Sequence, residues 1–344
     1  MTTDEDSAST PLTVTLVDQN PWANRFKVPV HECDVVAKKA LAQYRDNWMK
    51  WISWYRHNPS EPHSVEAQIH RMLFNDITYR ATVSVREAVA ADVAISARSS
   101  TLAYLLDQGY LVSQVLSIEK LLDNGGGVIS LKRLLKDVEK HRKIITREIY
   151  VAGDGLPYDY HSWGETIDKT DPMVQMWGIG APGLVRFAVS KELHETFDLL
   201  SGKQEHERAR DDVIRESIFK TLNSWINCSS AREISTIRNT FIAHAGDAFQ
   251  RGSYTFSGVK LSQIDEVQRA IVRVERALTD YVLSIRMGRE VVPIRPLGIF
   301  SGLDLPYCPP VAQDSMHRLW DELSAKRNAW KQGVLQEATL KGVP

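Results

Sequence analysis

Leu116-Ser117-Ile118-Glu119-Lys120-Leu121-Leu122-Asp123-Asn124-Gly125-Gly126-Gly127-Val128-Ile129-Ser130-Leu131-Lys132-Arg133-Leu134-Leu135 carries the end of one helix, a break and the start of another. The apolar residues before the break recur at helical steps, in a run that begins near residue 102. Asn124 and the three glycines after it stop that helix and leave a flexible turn. Ser130 stands where an N-cap belongs. Leu131, Leu134, Leu135 and Val138 then open the next helix, whose pattern fades near Gly153-Asp154-Gly155.

The same period extends in both directions. Leu41, Tyr44, Trp48, Trp51, Ile52 and Tyr55 form one stripe in a helix expected over 31–54, and Ile69, Leu73 and Ile77 belong to a second over 65–97. Further helices are expected over 184–200, 213–226, 232–245, 264–285 and 314–336. Strand-like runs are few and short, at 14–17 and 291–294, and 252–258 reads as a small hairpin or a loop. Residues 153–180 hold Pro157, Pro172, several aromatics and five glycines, the pattern of a long surface loop. The expectation is an all-α protein. It has a flexible tail over 1–28, a helical domain over 29–290, a proline-rich linker over 291–312 and a C-terminal helix and tail over 313–344.

Composition narrows the function classes. The chain has 344 residues, with a formal net charge of -1 and a pI near 6.8, so no global basic field attracts nucleic acid. Its three cysteines, Cys33, Cys228 and Cys308, are far apart and odd in number, which argues against a disulfide framework and for a reduced, cytoplasmic setting. Met1 to Thr10 is polar and acidic, so no secretory leader is expected. No long uncharged apolar run exists to span a membrane.

One segment concentrates chemistry beside a packing face: Ser235-Thr236-Ile237-Arg238-Asn239-Thr240-Phe241-Ile242-Ala243-His244-Ala245-Gly246. On a regular helix, Ile237, Phe241 and Ala245 fall within about 60° of Ile234 and form the apolar stripe. Arg238 then lies about 40° to one side of Ile234, His244 about 80° to the other, and Asn239 about 140° away. A cation and an imidazole beside a packing face need partners to offset their desolvation. Arg238 and His244 diverge on one helix, so joint action needs a second copy of the chain. The plain alternative pairs Arg238 with a buried carboxylate and uses His244 to cap the helix end before Gly246.

Arg238, Asn239, Ala243 and His244 resemble the Arg-polar-x(n)-His motif of the HEPN superfamily. The helix-glycine turn-helix segment around Gly125 resembles that superfamily's abortive-infection branch. The wider likeness covers roughly residues 35–290. It implies a HEPN-like helical bundle with additional N- and C-terminal helices, forming a homodimer that cleaves RNA without a metal or other cofactor. His244 would do the acid-base work, Arg238 would stabilise transition-state charge and Asn239 would position the phosphate or the imidazole. A toxin or phage-defence role follows from the same resemblance, with an antitoxin or regulatory protein as a further partner. The rival reading is a catalytically silent helical binding or scaffold protein.

Other signals carry less. Arg269, Arg273 and Arg276 share one side of a helix and form the better candidate row for RNA phosphates. The basic run from Lys132 to Arg147 is diluted by acidic residues and reads as a solvated face. Gly178, Gly180 and Gly183 match a dinucleotide fingerprint but lack the strand-turn-helix setting it needs. His194-Glu195 lacks the second histidine of a zinc protease, and His31 with Cys33 has no second ligand pair. The acidic residues of the long loop form no defined metal set. Trp48, Trp51, Trp54 and Tyr55 at helical spacing read as core rather than as a base-stacking surface.

Overall fold

The computed structural model describes residues 25–56, 63–90, 100–162, 182–242 and 258–285, with residues 292, 318, 321 and 322. The chain divides into two units, Met1–Pro293 and Ile294–Pro344. The helices of the first are α1 (Lys38–Tyr55), α2 (Val65–Ala90), α3 (Ser100–Leu122), α4 (Leu131–Lys140), α5 (Arg147–Ala152), α6 (Pro182–Ser201), α7 (Glu216–Ile226), α8 (Ser229–Ile237) and α9 (Leu261–Arg276). The described residues are all-α, and the single extended pairing among them is one isolated bridge between Thr146 and Val213. The expected strands and most of the long loop and C-terminal helix lie outside the described residues. None of the described helices is long and apolar enough to cross a membrane.

Antiparallel pairs organise the bundle. In the α2–α3 hairpin Tyr79 stacks on Tyr110, ring centroids 3.7 Å apart, and Gln114 Nε2 donates to the Met72 carbonyl at 3.1 Å. On α8 and α9, Ser230 donates to Glu266 at 2.7 Å, while Gln263 donates to Glu233 one turn along. Gln268 of α9 donates to Gln114 of α3 at 3.0 Å, joining the two pairs. The aromatic stripe of α1 is core: Trp48 and Trp51 are fully buried. Their indole N–H groups donate to the Leu283 carbonyl at 3.1 Å and to Asp137 at 2.6 Å, as buried indoles require.

Ser130 caps α4 as its position in the sequence implies, its Oγ accepting the Arg133 N–H at 3.1 Å. The start of α1 is capped from elsewhere. The Glu148 carboxylate accepts the N–H groups of Val36 and Ala37 at 2.9 and 3.1 Å, so the helix begins at Lys38 and not at residue 31.

The helix expected from Leu131 to about Gly153 is broken. After Lys140 come a 3-10 turn, Arg142–Ile144, and an extended Thr146 before α5. The N–H groups of Arg147 and Glu148 turn to the carbonyls of Asp212 and Arg210 at 2.9 and 3.0 Å. That competition for backbone donors ends the helix. Arg147 is therefore buried and not solvated. Its guanidinium reaches Asp198 at 2.7 Å, Asp212 at 2.9 Å and Ser201 at 3.0 Å. Arg208 adds a second ion pair to Asp198 at 2.7 Å.

Candidate functional site

Helix α8 presents Ile234 and Ile237 to the core, both essentially inaccessible. It does not continue as a regular helix through the motif. Arg238–Ile242 forms a π turn. Two threonine hydroxyls bond back along the same stretch: Thr236 to the Arg232 carbonyl at 3.0 Å and Thr240 to the Thr236 carbonyl at 2.7 Å. Such back-bonding competes with the helix ladder and distorts it. A second π turn, Ala277–Val282, follows α9, so the widened turn at Arg238 does not by itself mark a functional site.

The π turn corrects the helical wheel. Phe241, expected on the buried stripe with Ile234, is half-exposed, because the wider turn rotates Asn239–Ile242 away from regular spacing. Asn239 is exposed. His244 and Ala243 lie outside the described residues.

Arg238 is half-buried. Its Nη1 donates to Asn239 Oδ1 at 2.7 Å, so the two neighbouring motif residues are joined directly. Its Nε is enclosed with no hydrogen-bond acceptor among the described residues, a cost of about 1–3 kcal/mol unless a bound group or a side-chain movement relieves it. Among the described residues no carboxylate forms an ion pair with Arg238. The structural pairing that sequence alone allowed for this arginine is thus absent there. A guanidinium held by a neutral amide keeps its charge available for an anion.

Glu119 of α3 meets α8 just before this group. Ser235 Oγ reaches Glu119 Oε2 at 3.5 Å. Burial raises the Glu119 carboxyl above the ordinary range, opposed by the Ser235 hydroxyl and by the charges of Arg238 and Lys132, while Asp123 adds to the rise. No role was legible for Glu119 in the sequence. The available signal was its place directly after buried Ile118, between the buried Val115 and Leu121.

The three arginines of the α9 row meet different surroundings. Arg276 is turned to carboxylates, 3.5 Å from Glu275 and 3.8 Å from Asp280. Arg273 covers Trp225, its Cζ 3.9 Å from the ring centroid, and Arg269 is exposed. Residue pairing places these side chains toward the end of α9 that runs away from Arg238.

The discounted histidine proves to be a buried structural group. His194 Nε2 meets the Tyr158 carbonyl at 2.8 Å, and Nδ1 has no partner among the described residues. Burial first, then the nearby Arg208 and Arg147 charges, lower its pKa to about 4 against the pull of the Tyr158 carbonyl. Pro182 opens α6, as a loop-to-helix reading of the glycine motif requires.

Comparison of the chain with protein-family models, with curated proteins and with solved structures gave no match.

Proposed function

We propose that the chain is a HEPN-like, metal-independent endoribonuclease acting as a homodimer. The observation that supports this best is the state of Arg238: half-buried beside the α8 packing face, tied to Asn239, and without a carboxylate partner among the described residues. An arginine held there only by a structural pair would meet its acid within ion-pair distance, and no described carboxylate is that close.

In this reading the RNA 2′-hydroxyl attacks the adjacent phosphorus. The O2′–P bond forms and the P–O5′ bond breaks, leaving a 2′,3′-cyclic phosphate. A group near neutral pKa must accept the 2′ proton and another must protonate the 5′ oxygen. His244 of each copy fills these roles. Arg238 stabilises the charge that gathers on the phosphorane oxygens, and Asn239 fixes the direction of the guanidinium. Exposed Arg269, and Arg273 on its Trp225 platform, supply phosphate contacts away from the reacting bond. A toxin or defence role, restrained by an antitoxin or regulatory protein, belongs to the same proposal.

The test is cleavage of a labelled RNA by the full chain in EDTA, wild type against His244→Ala. The proposal requires cyclic-phosphate ends from the wild type and none from the variant. Equal cutting by both would place the chemistry elsewhere. RNA binding without cutting by either would favour the silent binding protein.

A further inference from the structure

Helix α4 and the turn after it, residues 131–144, have two unlike sides. Leu131, Leu134, Leu135 and Val138 are fully buried in the core. Lys132, Lys136 and Lys140 recur at every fourth residue on the opposite side, within about 80° of one another and about 6 Å apart along the axis. Lys143 extends the row into the 3-10 turn. Lys136, Lys140 and Lys143 are exposed, and Lys132 is half-buried.

The acids that dilute this run in the sequence are drawn away from it in the fold. Asp137 turns to α1, where it accepts the Trp51 indole N–H and pairs with Lys50, both at 2.6 Å. Glu139 accepts from the Asn223 amide of α7 at 3.1 Å, and Glu148 caps α1. Among the described residues Arg142 pairs with Glu216 at 3.4 Å, whereas Lys132, Arg133, Lys136, Lys140 and Lys143 form no ion pair. Lys132 meets only a neutral amide, donating to Asn227 Oδ1 at 3.1 Å. Five cations thus stand against one unpaired carboxylate, Glu139. A chain of net charge -1 carries a local positive ridge. Arg133, beside the row, lies over Trp54 of α1 with its Cζ 4.3 Å from the ring centroid.

We propose that this ridge binds the phosphate backbone of single-stranded RNA. The choice of RNA among polyanions rests on the endoribonuclease reading. Unpaired lysines on flexible stems gain most from an anion that brings several phosphates at once and releases its counterions. The Arg133–Trp54 pair adds a surface of the kind on which unpaired bases stack. A membrane surface would need apolar side chains beside the basic ones, and those of α4 are all in the core.

The experiment follows anisotropy of a fluorescein-labelled single-stranded RNA across a salt series. The full chain carries His244→Ala throughout so that the strand stays intact, and is compared with and without Lys136→Gln, Lys140→Gln and Lys143→Gln together, and with the same three lysines changed to Arg. Each lost phosphate contact removes about 0.7 from the salt slope of a single strand. The Gln variant should therefore lose about 2 from the slope and bind about 100-fold more weakly at 0.1 M salt. The Arg variant should bind as its parent does, and both should melt within about 2 °C of it. Unchanged affinity in the Gln variant overturns the proposal, and so does equal loss in the Gln and Arg variants. Binding of an RNA duplex as tight as that of the single strand also overturns it, as does binding of phosphatidylserine vesicles and not of RNA. RNA binding with the predicted loss, in a wild type that cleaves nothing, removes the endoribonuclease reading and upholds the ridge as an RNA-binding surface.

Discussion

Replacing Arg147 by methionine removes a cation from a site where its side chain has no solvent exposure. Four groups lose a partner: Asp198 at 2.7 Å, Asp212 at 2.9 Å, Ser201 at 3.0 Å and the His194 carbonyl at 3.3 Å. They do not suffer equally. Asp198 keeps Arg208 at 2.7 Å, whereas Asp212 keeps, among the described residues, the Ala209 N–H at 3.0 Å. The cost therefore falls mainly on Asp212, whose side chain is 9% exposed. Breaking a buried ion pair by removing one partner costs about 3–5 kcal/mol. That is a large part of a typical stability of about 5–15 kcal/mol. With about 2–4 °C per kcal/mol in domains of 150–250 residues, the melting temperature should fall by about 6 °C or more. Adding Asp212→Leu should recover much of the loss, because the stranded charge is then gone. Arg147→Lys should fall between, keeping the charge but losing the fork. Thermal melting followed by circular dichroism reads all three. A methionine variant melting within about 2 °C of wild type would refute the reasoning that this network bears on stability.

Other consequences follow from single sites. Between pH 6.5 and about 4 the unfolded chain protonates His194 and the folded one does not, so stability declines as pH falls through that window, by up to about 3 kcal/mol. His194→Gln should flatten that slope in a melting series, and an unchanged slope would count against the buried neutral histidine. Glu275 is buried, and burial raises its pKa despite the Tyr55 hydroxyl donating to it at 2.6 Å. Its folded pKa lies above the unfolded one, so its favourable contribution is complete at low pH and is lost as pH rises. Glu275→Gln should raise the melting temperature at pH 8 more than at pH 4. Ser130→Ala removes the α4 cap and should cost about 1 kcal/mol in urea unfolding. Gly155 sits at φ 94°, and a Cβ there would come within 2.3 Å of Val28, so Gly155→Ala should destabilise by more than a surface substitution does.

The helices were legible where one apolar face recurs at helical spacing and a stop or cap marks the end. The segment from α3 through Ser130 to α4 is the clearest case, and the tryptophans of α1 were legible as core for the same reason. The break before α5 was not, because Ile144, Ile145 and Ile149 keep an apolar rhythm while the backbone turns to pair with residues 210–213. Arg147 was misread with the basic run before it. A better signal lay in its other neighbours, since Ile149, Tyr150, Val151 and Ala152 are all core and an arginine among them needs buried acids. Those acids, Asp198 and Asp212, are distant in sequence. At the motif, the adjacency of Arg238 and Asn239 was legible, but the π turn was not, because a widened turn leaves no mark in periodicity. Glu119 met the motif only through the packing of α3 against α8.

In the proposed function, RNA is cut by its own 2′-hydroxyl at the Arg238-Asn239-His244 motif. The most direct measurement incubates the full chain in EDTA with a labelled RNA that it cuts, and with the same strand carrying 2′-deoxy sugars at the cut positions. Arg238→Ala serves as the control protein. An endoribonuclease of this kind leaves cyclic-phosphate ends on the all-RNA strand, none at the deoxy positions, and none with Arg238→Ala. Cutting at the deoxy positions, or undiminished cutting by Arg238→Ala, would contradict it.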